Sequence, residues 1–434
     1  MHSKIYCLAL ASTVTLCPLA PALAASGIVN AIAAGRPVID LRGRFESAAD
    51  ASKTVDANAL TLRARLGYET DSWNGLSLQA DFDQVWSNDA YNSTRNGKTD
   101  YPVVADPSIT GLNRLQLTYA SDFGTRFVLG RQRLLIGNQR FVGNSGWRQH
   151  EQTFDAVSAV NTSVSSLKLT YAWLYRINRI FGPDLPSPST STAAAAGQAS
   201  YLKSDSHILD GVYTGVPRLR VEGYAFLLDL RAPGYATLPA QVTAASRLST
   251  RTYGGRADYS FAPTDGVTGK VTGEFAHQDN YAGNPLSFGL NYWLGEGSAT
   301  WKGVTGLAGY EILEGNGAIG FATPLATLHA FNGWADMFLT TPANGLKNFY
   351  LRASYNVPAD FIGAKTLVIN ATWHDFKTDN LNTGIGTEWD TSAELTVDSN
   401  LSFLLKYADY NGAGAAVRGF VDKSVFWLQT AYKY

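Results

Sequence analysis

Between Gly130 and Asp155 the chain gathers Arg131, Arg133, Arg140 and Arg148 among glycines, asparagines and aromatic residues that include Phe141 and Trp147. Guanidinium groups take carboxylates through charge-assisted, often bidentate hydrogen bonds, and an aromatic ring offers an apolar face to a sugar ring. The chemistry is that of binding and guiding small polar, anionic or carbohydrate-like solutes. Bond-making chemistry is not indicated. His150, His207, His277, His329 and His374 show no spacing of a metal pair or hydrolase motif, and His374 beside Asp375 reads as a strand-end hydrogen bond. Neither metal nor cofactor is expected, nor enzymatic activity.

These residues sit in a chain built on short alternations. In Ile39-Asp40-Leu41-Arg42-Gly43-Arg44-Phe45-Glu46 the charges take even positions and the apolar or small residues odd ones. A strand puts the two sets on opposite faces. The same pattern returns at Leu60–Glu69, Leu76–Asp83, Arg114–Tyr119, Leu167–Arg176, Lys270–Phe275, Glu388–Leu395 and Leu401–Tyr407. Segments of roughly nine to eleven residues with aromatic residues near their ends suit tilted membrane-crossing strands better than the roughly five to six of a soluble sandwich. Tight clusters such as 71–75, 121–124 and 262–266 alternate with long polar stretches at 84–110, 178–205 and 231–249. The expected fold is therefore all-β: a transmembrane antiparallel barrel of about eighteen strands, with short turns at one mouth and longer loops at the other.

Both ends agree. Residues 1–24 read as a secretory signal peptide, with Lys4, an apolar run from Ile5 to Leu19 and small residues at Ala22 and Ala24, which leaves 25–434 as the barrel. Cys7 and Cys17 fall inside that leader, and Leu16 before Cys17 argues against a lipid anchor. The near-neutral charge of −1 gives no global basic surface for nucleic acid. At the other end Phe426, Leu428, Tyr432 and Tyr434 share one face of a last alternating strand, a pattern suited to recognition by barrel-assembly machinery in a protein surrounded by outer-membrane lipid.

At about eighteen strands a barrel is too wide for wall side chains to fill, and water enters. Arg42, Arg44, Arg63, Arg65, Asp40, Glu46, Glu69, Asp81 and Asp83 then line one inner wall, where they either meet solute or pair across strands. After Phe127 and Leu129 the alternation would place Arg131 and Arg133 in lipid, where a mid-bilayer arginine costs about 2–4 kcal/mol. The strand is therefore expected to end, bulge or turn inward near Gly130. An inward-folded loop carrying Arg131, Arg133, Arg140, Arg148 and Trp147 into the channel follows, with a loop folded over the mouth as its alternative.

The stretches Gly130–Asn144 and Gly146–Asp155, with a second block at Thr323–Pro342, resemble the alginate export family of outer-membrane porins, and a weaker likeness extends from about residue 37 to the end. The resemblance implies an eighteen-stranded barrel with an electropositive route for a polyuronate, lined by Arg131, Arg133, Arg140 and Arg148. The functional expectation is a passive outer-membrane channel for polar, anionic or carbohydrate-like solutes. Its rival is an adhesin or assembly partner that conducts little.

Overall fold

The computed structural model describes residues 27–88, 90–183, 199–231, 247–414 and 419–434. The expected leader lies outside them, as do parts of the long stretches at 178–205 and 231–249. The strands are β1 (Arg36–Asp50), β2 (Ala57–Glu69), β3 (Leu76–Ser87), β4 (Ile109–Ala120), β5 (Thr125–Gln132), β6 (Thr153–Asn161), β7 (Leu167–Asn178), β8 (Tyr201–Tyr213) and β9 (Leu219–Leu228, resuming as Leu230–Arg231). They continue as β10 (Thr250–Thr264), β11 (Val267–Asn280), β12 (Gly289–Trp301), β13 (Val304–Leu313), β14 (Leu346–Pro358), β15 (Thr366–Lys377), β16 (Gly384–Thr396), β17 (Leu401–Gly412) and β18 (Lys423–Lys433).

Each strand pairs antiparallel with the next, and β18 returns to β1 in a register running from Asp40↔Lys433 to Asp50↔Lys423. The sheet is a closed barrel of eighteen strands, as the alternation predicts. Closure leaves no edge, and in hydrocarbon an unpaired backbone group costs several kcal/mol. No described helix is long and apolar enough to cross a membrane.

The period of two sorts the faces. Leu60, Leu62 and Leu66 are 59, 50 and 54% exposed on the outside, whereas Arg63 and Arg65 between them are 1 and 2% exposed within. Trp86, Tyr175, Trp293 and Trp389 ring the outer surface near the long loops, and Tyr68, Tyr119, Tyr213, Trp301 and Tyr355 ring it near the short turns. These are the aromatic girdles of a membrane barrel. The turn between β12 and β13 has only two residues, Lys302 and Gly303, both at positive φ (47° and 82°). That is the turn whose twist matches two paired strands. The first and last described residues lie at this mouth, where the short helix α1 (Gly27–Ala33) is tied down by the Tyr68 hydroxyl donating to Ile32 O.

The closing strand carries Leu428 on the lipid face, 52% exposed. Leu428→Arg should cost about 2–4 kcal/mol of barrel stability. Urea unfolding followed by heat-modifiable gel mobility measures it, and an unchanged midpoint would mean this face does not meet hydrocarbon.

Candidate functional site

Two loops from the long-loop mouth fold into the lumen and meet there. The first joins β5 to β6 (133–152) and the second joins β13 to β14 (314–345). They share a parallel bridge between Val142 and Leu325, with Gly143 N donating to Leu325 O at 2.8 Å and Thr327 N to Gln139 O at 3.1 Å. Gln152 Nε2 donates to both Gly143 O (2.9 Å) and Leu325 O (3.1 Å). The arginine-rich loop is thus folded inward, and its partner is the second block singled out in the sequence.

Arginines and acids fasten the loops to the wall. Arg42 Nη1 donates to the carbonyls of Gly146, Trp147 and Arg148 at 3.1, 3.1 and 3.2 Å. Arg44 donates to Trp147 O at 2.7 Å, and Arg63 to Gln149 O at 3.2 Å. From the loop side, Arg148 reaches Glu46 (3.2 Å) on β1 and Asp336 (3.0 Å) on the second loop. Arg140 crosses to Glu311 on β13 at 2.7 Å. The second loop is seated on β16, where Ala335 N donates to Glu388 at 2.7 Å and Trp334 N to Asp390 at 3.2 Å.

Glu151 is the hub of the first loop. It accepts from Arg133, from Arg65 (2.8 Å), from Asn113 (2.8 Å) and from Asn144 (2.6 Å). Burial pushes its carboxyl up, but Arg65 and Arg133 outweigh burial and hold it down at about 2.

The aromatic residues of the loop are spent on packing. Phe141 lies among Tyr224, Tyr292, Phe226 and Phe321, with ring centres 5.3 to 6.0 Å apart. Trp147 stacks on His329 at 4.4 Å with Arg44 (4.0 Å) and Lys406 (4.2 Å) over its ring. Their surroundings are the protein's own side chains, so the structure offers no support for stacking sugar rings on them.

Arg131 is placed differently from its neighbours. The strand neither bulges nor stops at Gly130, although that residue has φ +111°. In register with Leu115 and Asp155, Arg131 keeps the outward parity of Phe127 and Leu129. It stays there because Asp155 accepts from it at 2.7 Å, and Arg176 lies 3.9 Å from the same carboxylate. Cross-strand pairing at the outer rim replaces the expected turn into the channel.

The remaining arginines border a cavity of about 400 Å³ between the first loop and β1, β2 and β4. Its cationic lining is Arg42, Arg63, Arg65, Arg114, Arg133 and Lys433, against the carboxylates of Asp40 and Glu151. Most of these cations have close acidic partners: Arg63 with Asp40, Arg65 with Asp83 and Glu151, Arg114 with Asp81, Arg133 with Glu151. Arg42 is held by carbonyls alone, with no carboxylate within 4.0 Å among the described residues. Arg114 and Asn113 come from a bulge between β3 and β4, a register feature that alternation cannot reveal.

Solved structures share this architecture. OccAB2 of Acinetobacter baumannii superposes with a TM-score of 0.71 at 14% identity, covering 93% of this chain and 98% of that one. The fold is that of an outer-membrane porin. Pseudomonas aeruginosa OpdK, solved with vanillate, gives 0.68 at 12% identity over 93% of this chain and 99% of its own. A BenF-like porin from Pseudomonas fluorescens Pf-5 gives 0.67 at 13% over the same shares. No family model matches the chain, and no curated protein matches it.

The expected membership of the alginate export family is thereby corrected: the fold match goes to Occ-type and BenF-like porins, and no alginate-export model matches. The physical reason lies in the two blocks that carried the resemblance. Their arginines, glycines and tryptophans fasten two inner loops to each other and to the wall, a task independent of the solute. With its lipid-facing belt and porin fold, the protein is an integral barrel of the Gram-negative outer membrane.

Arg140 and Glu311 are both buried, so Arg140→Ala leaves a carboxylate uncompensated and should destabilise the barrel by about 3–5 kcal/mol. The double variant Arg140→Met with Glu311→Met should recover most of that in denaturant unfolding. Equal losses in single and double variants would sink the pairing. Because Glu151 is held at about 2, below its unfolded value, its clamp is fully present above about pH 4.3 and is lost as pH falls toward 2. Stability of Glu151→Gln should therefore be lower at pH 7 and less acid-dependent below pH 4.

Proposed function

We propose that this porin is a passive channel for small polar solutes and favours anions carrying a carboxylate. The observation that carries the proposal is Arg42, a fixed guanidinium on the cavity wall that forms no ion pair with a carboxylate among the described residues. In a water-filled constriction such a charge concentrates anions and replaces part of their hydration. Arg63, Arg65, Arg114 and Arg133 add to the local potential although their own carboxylates reduce it. Arg44, Arg140 and Arg148 serve to hold the loops, and Arg131 lies outside the path. That one similar structure, OpdK, was solved with vanillate, an aromatic carboxylate, agrees with this choice of solute class.

Assembly fits the same reading. Phe426, Leu428, Tyr432 and Tyr434 stand on the outer face of the closing strand, from 36 to 68% exposed, where assembly machinery could read them before β18 meets β1.

In planar bilayers the purified protein should open an ion-permeable pore whose reversal potential in a salt gradient reports anion preference. Arg42→Gln should shift that potential toward cations and slow the influx of benzoate into liposomes more than that of a neutral sugar. A folded protein that conducts nothing would favour an adhesin or assembly role, and unchanged selectivity in the variant would remove Arg42 from the path.

A further inference from the structure

We propose that His329 is an acid-released catch: protonating it unseats the second inner loop from β17 and changes the open channel. The inference rests on the channel reading and adds regulation to it. His329 Nδ1 lies 2.8 Å from Asp336 Oδ1, and Nε2 lies 2.7 Å from Lys406 Nζ. A carboxylate only accepts, so Nδ1 carries a hydrogen; an ammonium only donates, so Nε2 is bare. The neutral ring satisfies both neighbours in this one tautomer. Between them, His329 and Lys406 can hold a single positive charge. A second proton places two donors and two cations face to face at 2.7 Å, with the hydrogen bond gone.

No solvent softens that conflict. His329 and Lys406 are 8 and 6% exposed, and the imidazole stacks on Trp147 with Trp427 at its edge. The charged groups facing the pair come from every element packed there. The first loop supplies Arg148 and the second Asp336; β1 contributes Arg44 and Glu46, β16 contributes Asp390, and Lys423 of β18 faces Asp336. Asp336 already answers Arg148 at 3.0 Å as well as His329, so it offsets a new charge only in part. Burial first, with Lys406 and Arg148 adding to it and Asp336 opposing, brings His329 down to about 4. Its value is below that of an unfolded histidine. The catch is therefore at full strength above about pH 6.5 and weakens as pH falls toward 4.

The catch sits at the crossing of both loops with the wall. Trp147 of the first loop, His329 of the second and Lys406 of β17 are one stack, so releasing His329 loosens both loops at their shared contact. The anchors at Glu388 and Asp390 remain, and a partial, reversible displacement is expected rather than loss of fold.

Two measurements on the intact protein test this. Conductance in planar bilayers and hydrogen exchange of the 328–337 segment, corrected for the intrinsic rate, are followed from pH 7.5 to 3.5. The wild type should show a conductance step, with exchange rising at least about tenfold, the effect of one pKa unit of proton linkage. His329→Gln, neutral at every pH, should remove both steps. Lys406→Gln should move them to higher pH, because the repelling cation is gone. A step that survives unchanged in His329→Gln belongs to the carboxylates and overturns the catch, as does a step that Lys406→Gln leaves in place. A protein that opens no pore yet keeps the His329-dependent exchange step fails the channel reading alone; one that conducts with exchange indifferent to pH fails the catch alone.

Discussion

Backbone amides and carbonyls cannot go unpaired in hydrocarbon, and this constraint underlies everything else in the molecule. It forces β18 back onto β1, and closure with eighteen strands sets a girth that wall side chains cannot fill. The interior must then be water or additional chain. Here it is both, because two loops of the long-loop mouth are drawn inside and leave a charged cavity beside them.

Loops inside a polar lumen cannot be held by an apolar core alone. Phe141 and its aromatic neighbours supply one apolar patch, Phe338 against Phe376 and Tyr410 supplies another, and charge joins them in the holding. Buried ion pairs add little net stability over apolar packing, but each removed partner is costly. They therefore fix where the loops lie more than how stable the barrel is. Arginine has two duties in this lumen. Where an acid meets it, its charge is answered and it positions chain; where only carbonyls touch it, as at Arg42, it positions chain while its charge still faces the cavity.

The barrel itself was legible because strands obey a period of two, and a lipid face tolerates few exceptions to it. Leu60, Leu62 and Leu66 against Arg63 and Arg65 state the inside and outside without any knowledge of neighbours. The inward course of 133–152 was legible for a similar reason, since so many arginines cannot face lipid. What stayed hidden depends on register. Arg131 breaks the apparent rule only because Asp155 stands opposite it on the adjacent strand, and no local pattern states that pairing. Trp147 reads as a platform for solute until Arg44, Lys406 and His329 arrive from distant parts of the chain to surround it. The second inner loop was visible only as a family likeness. Its seat on Glu388, Asp390 and Lys406 requires knowing which wall lies across the lumen.

The bridge between Val142 and Leu325 also has a place in time. Its partners stand far apart in the chain, with eight of the eighteen strands between them, and contacts of such separation form late. Many of the seats that hold these loops lie on β1, β16 and β17, and β1 comes round to the side of the other two only as the ring joins. A nascent barrel must therefore pass through a stage that is sealed against lipid but still wide within. Narrowing comes afterwards, as a separate maturation, and a variant can be inserted correctly yet leave the cell with a leak.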